Sequence, residues 1–158
     1  MTDNFSATLV AHSDAAGGWA IKNGTRDAAG GLWIGAVDKS DGLGLNWYAH
    51  IGGYSDILLG AATTGYDTIA VSVVGGLLSA TLNGAAAGNF AGIKYSAPNQ
   101  LGYVIPFQVG ADPYAADFSK AFRGKIDTIR IETVPEPTSL ALLGLGAAGV
   151  ALRRRRNK

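Results

Sequence analysis

The chain is 158 residues long, 47% hydrophobic and 16% charged, with 23 glycines and no cysteine. That is the length of one domain, and glycine at roughly twice its ~7% average beside sparse charge points to turn-rich β structure. The missing cysteine excludes disulfides, thiolate metal sites and cysteine nucleophiles. The formal net charge of +1 hides an asymmetry, because residues 1–134 hold eight basic against eleven acidic side chains and residues 135–158 hold five basic against one acidic. The acidic body has no basic stripe to neutralise phosphates, so nucleic acid is not an expected partner.

Short apolar segments parted by glycine, asparagine and aspartate clusters predict strands over 7–11, 19–22, 32–36, 43–48 and 56–59. Next, Thr68 to Val73 places Ile69, Val71 and Val73 on one face with Thr68, Ala70 and Ser72 on the other. Gly75-Gly76 turns the chain, Leu78, Ala80 and Leu82 alternate with Ser79 and Thr81, and Asn83-Gly84 makes a second tight turn. Further strands are expected over 106–109 and 125–132. In the last, Ile126 is out of phase with Ile129 and Ile131, which calls for a bulge near Asp127 or Thr128 unless both faces are covered. No helical stretch of useful length interrupts the body, so residues 1–133 read as an antiparallel, all-β sandwich.

The end of the chain follows other rules. Val134-Pro135-Glu136-Pro137-Thr138-Ser139 leads into the apolar run Leu140 to Leu152 and then Arg153, Arg154, Arg155 and Arg156. The prolines stop the preceding strand, and Thr138 or Ser139 can cap a helix that is apolar all round. Fifteen residues from Thr138 to Leu152 span about 22 Å at ~1.5 Å each. That is short of the ~30 Å hydrocarbon core, although snorkelling arginines extend it. The arginine cluster would hold the terminus on the cytoplasmic side and leave the body outside. Gly144 to Gly149 spells G-x-G-x-x-G, but neither a preceding strand nor a following acidic residue accompanies it. Close approach of membrane helices accounts for these glycines better than a dinucleotide does.

The Pro-Glu-Pro segment, short apolar helix and terminal arginines resemble a PEP-CTERM sorting tail, set here at 134–158. The resemblance implies an exported bacterial protein whose tail is removed beyond the motif by an exosortase. Export machinery and the inner membrane would be its transient partners, and the cell surface or extracellular matrix of an exopolysaccharide producer its destination. An ordinary anchor or a terminal core helix is the competing reading. Met1 to Ser6 lacks the basic region and apolar core of a signal peptide. Either Met1 is a late start or the chain is not exported.

Within the body, Tyr66 to Val73, Leu82-Asn83-Gly84, Phe107 to Ala111 and Phe122-Arg123-Gly124-Lys125-Ile126-Asp127-Thr128-Ile129-Arg130-Ile131 resemble, in order and spacing, the laminin-G-like, concanavalin-A-like jelly rolls. The resemblance spans roughly residues 17–132 and implies a two-sheet sandwich. Little chain precedes residue 7, so one or two N-terminal strands would be missing and the closing strand left as an open edge.

Several chemistries are poorly served. A glycosidase needs two placed carboxylates, whereas the only glutamates are Glu132 and Glu136. A serine hydrolase needs a histidine beside a nucleophile on a sharp turn, but there is no G-x-S-x-G, and His12 and His50 also lack partners for zinc. The body is therefore expected to be non-catalytic. Asn46, Trp47, Tyr48, His50 and Tyr54, with Asp56, offer aromatic faces beside fixed polar groups, the chemistry that holds sugar rings; the alternative is that they are sandwich core and edge. Asp112 and Asp117 could bind calcium through oxygen ligands or form an ordinary polar loop. Glycan or matrix binding is the expected role, with a purely structural surface component as the alternative and a glycan-active enzyme a weaker third. Intact-mass and terminal-peptide analysis of the protein from its native host is expected to find a species that ends near Pro137 and extends upstream of Met1. A cytoplasmic species running from Met1 to Lys158 would overturn the sorting reading.

Overall fold

A computed structural model describes residues 4–14, 17–23, 31–54, 56–95, 99–100, 103–104, 108–110 and 121–134. The strands are β1 (Phe5–Ser13), β2 (Gly18–Asn23), β3 (Leu32–Asp38), β4 (Leu45–Ile51), β5 (Asp56–Ala61), β6 (Asp67–Val74), β7 (Leu77–Leu82), β8 (Ala85–Ala87), β9 (Asn99–Gln100), β10 (Tyr103–Val104), β11 (Gln108–Val109) and β12 (Gly124–Thr133). Ten of them form two antiparallel five-stranded sheets, ordered β12-β1-β6-β7-β8 and β11-β2-β3-β4-β5, while β9 and β10 pair with each other. The expected all-β sandwich is what forms.

Alternation builds the core. In β1, Phe5, Ala7, Leu9 and Ala11 are buried while Ser6, Thr8, Val10 and His12 between them are partly exposed. Ile69, Val71 and Val73 of β6 do the same, as their period of two requires. These side chains meet Ile21, Leu32, Ile34, Ala36, Trp47, Ala49 and Ile51 of the second sheet in one apolar cluster. Each large aliphatic or aromatic side chain so buried contributes about 1.5–3 kcal/mol. The two predicted hairpin turns have both central residues at positive φ, Gly75 and Gly76 at 58° and 76°, Asn83 and Gly84 at 51° and 81°. Such turns match the twist of the flanking strands, and glycine and asparagine adopt them at little cost.

The closing strand settles two expectations. β12 pairs with β1 from Phe5↔Thr133 to Ser13↔Gly124, and the register shifts between Val10↔Thr128 and Ala11↔Ile126. Asp127 is therefore the extra residue of a bulge, which brings Ile126 into phase with Ile129, and both pack against the core. Ile131 faces the same way but stays 36% exposed. The closing strand was expected to be an open edge: β1 pairs with it on one side, and among the described residues its other side is the edge of the sheet. Another difference lies at β4, which runs from Leu45 to Ile51 rather than 43 to 48. The Asn46 amide donates to the Leu43 and Gly44 carbonyls, so Leu43 stays in the connecting loop.

One buried carboxylate links the sheets. Asp67, 1% exposed at the start of β6, accepts from Trp47 Nε1 at 2.8 Å, Thr63 N–H at 2.8 Å, Thr63 Oγ1 at 2.9 Å and Asn83 Nδ2 at 2.8 Å. Burial pushes the carboxyl pKa up, but the donors Asn83, Thr63 and Trp47 together outweigh it and hold it below its ordinary value. A group depressed in the folded state stabilises above its unfolded pKa, ~3.9, and that contribution is lost as pH falls through the folded value. Asp67→Ala, which strands the Trp47 N–H, is expected to cost about 3 kcal/mol or more at pH 7 in urea unfolding. The gap between wild type and Asp67→Asn should narrow as the pH drops below about 3.9.

Candidate functional site

Two faces of the second sheet carry different chemistry. Trp47, Ala49 and Ile51 of β4 point into the core. Their neighbours Tyr48 and His50 point to the opposite face, where Tyr48 joins Trp19 and Trp33 in a separate buried cluster flanked by Val37. The strand partners of Tyr48, Gly35 and Leu58, and those of His50, Trp33 and Asp56, lie on that same outer face.

A bulge assembles this layer. The β2–β3 register shifts between Trp19↔Gly35 and Ile21↔Ile34, leaving Ala20 as the extra residue. Both Trp19 and Lys22 then fall on the outer face, although three positions apart they would otherwise face opposite ways. Trp19 lies over β3 because Gly35 has no side chain: a Cβ there would sit 2.4 Å from the Gly18 carbonyl oxygen, 2.6 Å from Trp19 Cα and 3.0 Å from its ring. The Trp19 and Trp33 rings meet edge to face at 5.5 Å, and His50 lies 5.7 Å from Trp33 and 6.2 Å from Trp19.

Polar groups tie the aromatic layer together. His50 Nδ1 is 2.7 Å from Asp56 Oδ1, and Lys39 Nζ is 2.8 Å from Asp56 Oδ2. A carboxylate only accepts, so His50 carries its proton on Nδ1 and both Asp56 oxygens are engaged. Lys39 Nζ also lies 4.1 Å from the centre of the Tyr48 ring, and Lys22 Nζ 4.7 Å from that of Trp33. These are cation–π distances. Burial first, and the Asp41 carboxylate second, raise the Tyr48 pKa above its ordinary 10.0; Asp56 and Asp38 add to this and Lys39 partly offsets it. The phenol stays protonated and polar at neutral pH. Asp38 and Asp41 themselves accept from Ser40 N–H and Leu43 N–H in the β3–β4 loop.

The candidate residues thus separate. Tyr48 and His50 belong to the outer layer with Asp56. Trp47 does not, because it is fully buried between the sheets with its indole N–H on Asp67. Asn46 is buried and holds the loop carbonyls, and Tyr54 stands 43% exposed in the β4–β5 turn. Trp19, Lys22, Trp33 and Lys39 complete the layer and were not marked by sequence reasoning. The layer reaches solvent through Lys39, whose side chain is 32% exposed, and Leu58, 43% exposed. Val134 donates its N–H to the Asn4 carbonyl beyond the end of β12. Pro135, Glu136, Pro137, Arg153, Arg154, Arg155, Arg156, the apolar helix expected between them, Asp112 and Asp117 lie outside the described residues. Among the described residues no three His, Asp or Glu side chains gather as a metal site.

Comparison with known proteins yields one sequence match and a set of structural ones. Residues 133–156 match the PEP-CTERM protein-sorting motif. No curated protein matches the chain. Among solved structures, a native heptameric SAP-like pentraxin from Limulus polyphemus aligns at TM-score 0.60 and 12% identity, covering 84% of this chain and 66% of that one. A candidate carbohydrate-binding protein from Bacteroides ovatus aligns at 0.54 and 14% identity, covering 84% of this chain and 38% of that one. Domain 4 of a GH43 extracellular arabinanase from Geobacillus stearothermophilus, solved with arabinotriose, aligns at 0.52 and 20% identity, covering 83% and 61%. The chain therefore spans less than two thirds of the length of each. These likenesses establish the fold and agree with a laminin-G-like, concanavalin-A-like body. Gly35→Ala is expected to displace Trp19, abolishing the near-ultraviolet dichroism of the Trp19–Trp33 pair while far-ultraviolet strand signal persists, at about 1–3 kcal/mol of stability.

Proposed function

We propose, for a chain that carries the PEP-CTERM sorting motif behind a jelly-roll-like sandwich, that the body is a non-catalytic glycan-binding module displayed at the bacterial surface. The motif implies sorting by an exosortase, with residues 134–158 acting as the removable tail and passing transiently through the inner membrane. The observation that carries the binding reading is the aromatic layer of Trp19, Trp33 and Tyr48, cross-linked by the Lys39–Asp56–His50 chain on the sheet face opposite the core. Rings fixed beside polar groups supply what a pyranose or furanose needs, an apolar floor and rigid hydrogen-bond partners. The exposed rim of Lys39, Tyr54 and Leu58 is where a sugar would first meet it.

Charge favours an uncharged ligand. Lys39 pairs with Asp56, Lys22 lies over the Trp33 ring, and Asp38 and Asp41 lie close to Tyr48, so neither sign dominates as it would in a site for a polyanion. The neighbours' names support a sugar: one is a candidate carbohydrate-binding protein and another was solved holding arabinotriose. A surface component without a specific ligand is the second reading, and the near-complete burial of Trp33, Tyr48 and His50 favours it. Depletion of the protein by insoluble neutral polysaccharides, competed with soluble oligosaccharides, separates the two. A saturable isotherm that weakens about tenfold or more in Tyr54→Ala, with thermal melting unchanged, is expected. Linear, uncompetable retention would favour the ligand-free role, and glycan turnover would overturn the non-catalytic reading.

A further inference from the structure

β12 is ten residues long and, among the described residues, forms the outer edge of its sheet, with β1 on one side. Its backbone polarity follows from its two ends. Val134 N–H donates to the Asn4 carbonyl, so by antiparallel alternation Glu132, Arg130 and Thr128 turn their backbone groups toward β1, and Thr133, Ile131 and Ile129 turn theirs to the open edge. Beyond the bulge, Asp14 N–H donates to the Arg123 carbonyl, so Lys125 faces β1 while Gly124 and Ile126 face out. The edge thus presents a ladder of donors and acceptors at Gly124, Ile126, Ile129, Ile131 and Thr133, ready for another strand.

The sequence of this edge is complementary to itself when reversed. Place a two-fold axis, perpendicular to the sheet, at Ile129. Ile129 then opposes Ile129 of a second copy, Thr128 opposes Arg130, Ile126 opposes Ile131, Lys125 opposes Glu132 and Gly124 opposes Thr133. The Asp127 bulge is what makes the register consistent. It supplies the one-residue offset that lets Ile126 and Ile131 share the core face, and Lys125 and Glu132 the outer face. Every edge-facing backbone group meets another, each lysine meets a glutamate, and each incompletely covered isoleucine meets an isoleucine. Lys125 and Glu132 fall in non-hydrogen-bonded positions, where opposed side chains are nearest. Among the described residues Glu132 pairs with its exposed neighbour Arg130, at 2.8 Å.

We infer that a second copy of this chain pairs along β12 in this register, joining two five-stranded sheets into one of ten strands. The contact is isologous and closes on itself, so it gives a dimer and not a fibre. It lies on the other sheet from the aromatic layer and is independent of any glycan.

Sedimentation of the full chain in mild detergent tests this directly. Wild type is expected to dimerise, Lys125→Glu and Glu132→Lys each to raise the dissociation constant at least tenfold, and the double reversal to restore it. Both residues are exposed, so folding should be kept in each variant, as circular dichroism will show. As a readout that needs no variant, wild-type dimerisation should weaken as salt is raised from 50 to 500 mM, because about that range screens exposed pairs. A wild type that stays monomeric overturns the proposal. So does a dimer indifferent to salt and to the single reversals, which would place the contact elsewhere, as would a double reversal no tighter than the singles.

Discussion

A single buried carboxylate holds this sandwich in register. Asp67 opens β6 in one sheet and takes the indole N–H of Trp47 from the centre of the other. The loop at Thr63 and the turn at Asn83 close on the same two oxygens. Hydrophobic burial would press the sheets together in many offsets, since it has no direction. Four aimed donors on one carboxylate have direction, and they select one offset. Because Trp47 is pinned inward, alternation along β4 turns Tyr48 and, beyond Ala49, His50 outward, and the aromatic layer on the far face follows from that choice.

The fold was legible wherever local pattern sufficed. Thr68 to Val73 alternates cleanly, and Gly75-Gly76 and Asn83-Gly84 name their turns, so β6, β7 and β8 could be read directly. Even the bulge at Asp127 was legible, since three isoleucines at two phases called for one near Asp127 or Thr128 unless both faces were covered. The bulge at Ala20 was not. Nothing in Trp19-Ala20-Ile21-Lys22 is out of phase by itself, and only pairing with β3 reveals the extra residue. Trp19 and Lys22 were therefore missing from the expected site.

The site was only half legible for a related reason. Trp47, Tyr48 and His50 are close in sequence, and closeness was read as clustering although alternation separates the first from the other two. Setting the strand's end at Tyr48 hid this, because it left His50 in a loop. Trp33 and Lys39 join the site through cross-strand pairing and a long side chain, which no window along the chain contains. The polar chain through Asp56 likewise depends on distance in space, with a lysine seventeen positions before it and a histidine six before.

The order of the chain also carries a mechanical meaning. The sorting motif match begins at residue 133, the last position of β12. A molecule held by its tail is therefore gripped at the end of a strand bonded to one neighbour. Tension directed along that strand would load the whole β1–β12 ladder in shear, sharing force among all its rungs. Tension directed away from the sheet's edge would fall on the Val134–Asn4 hydrogen bond first and then on each bonded rung in turn, like a zipper. The same sandwich would thus resist drag of one direction firmly and yield to another, and severing the tail would remove the handle by which it could be peeled open.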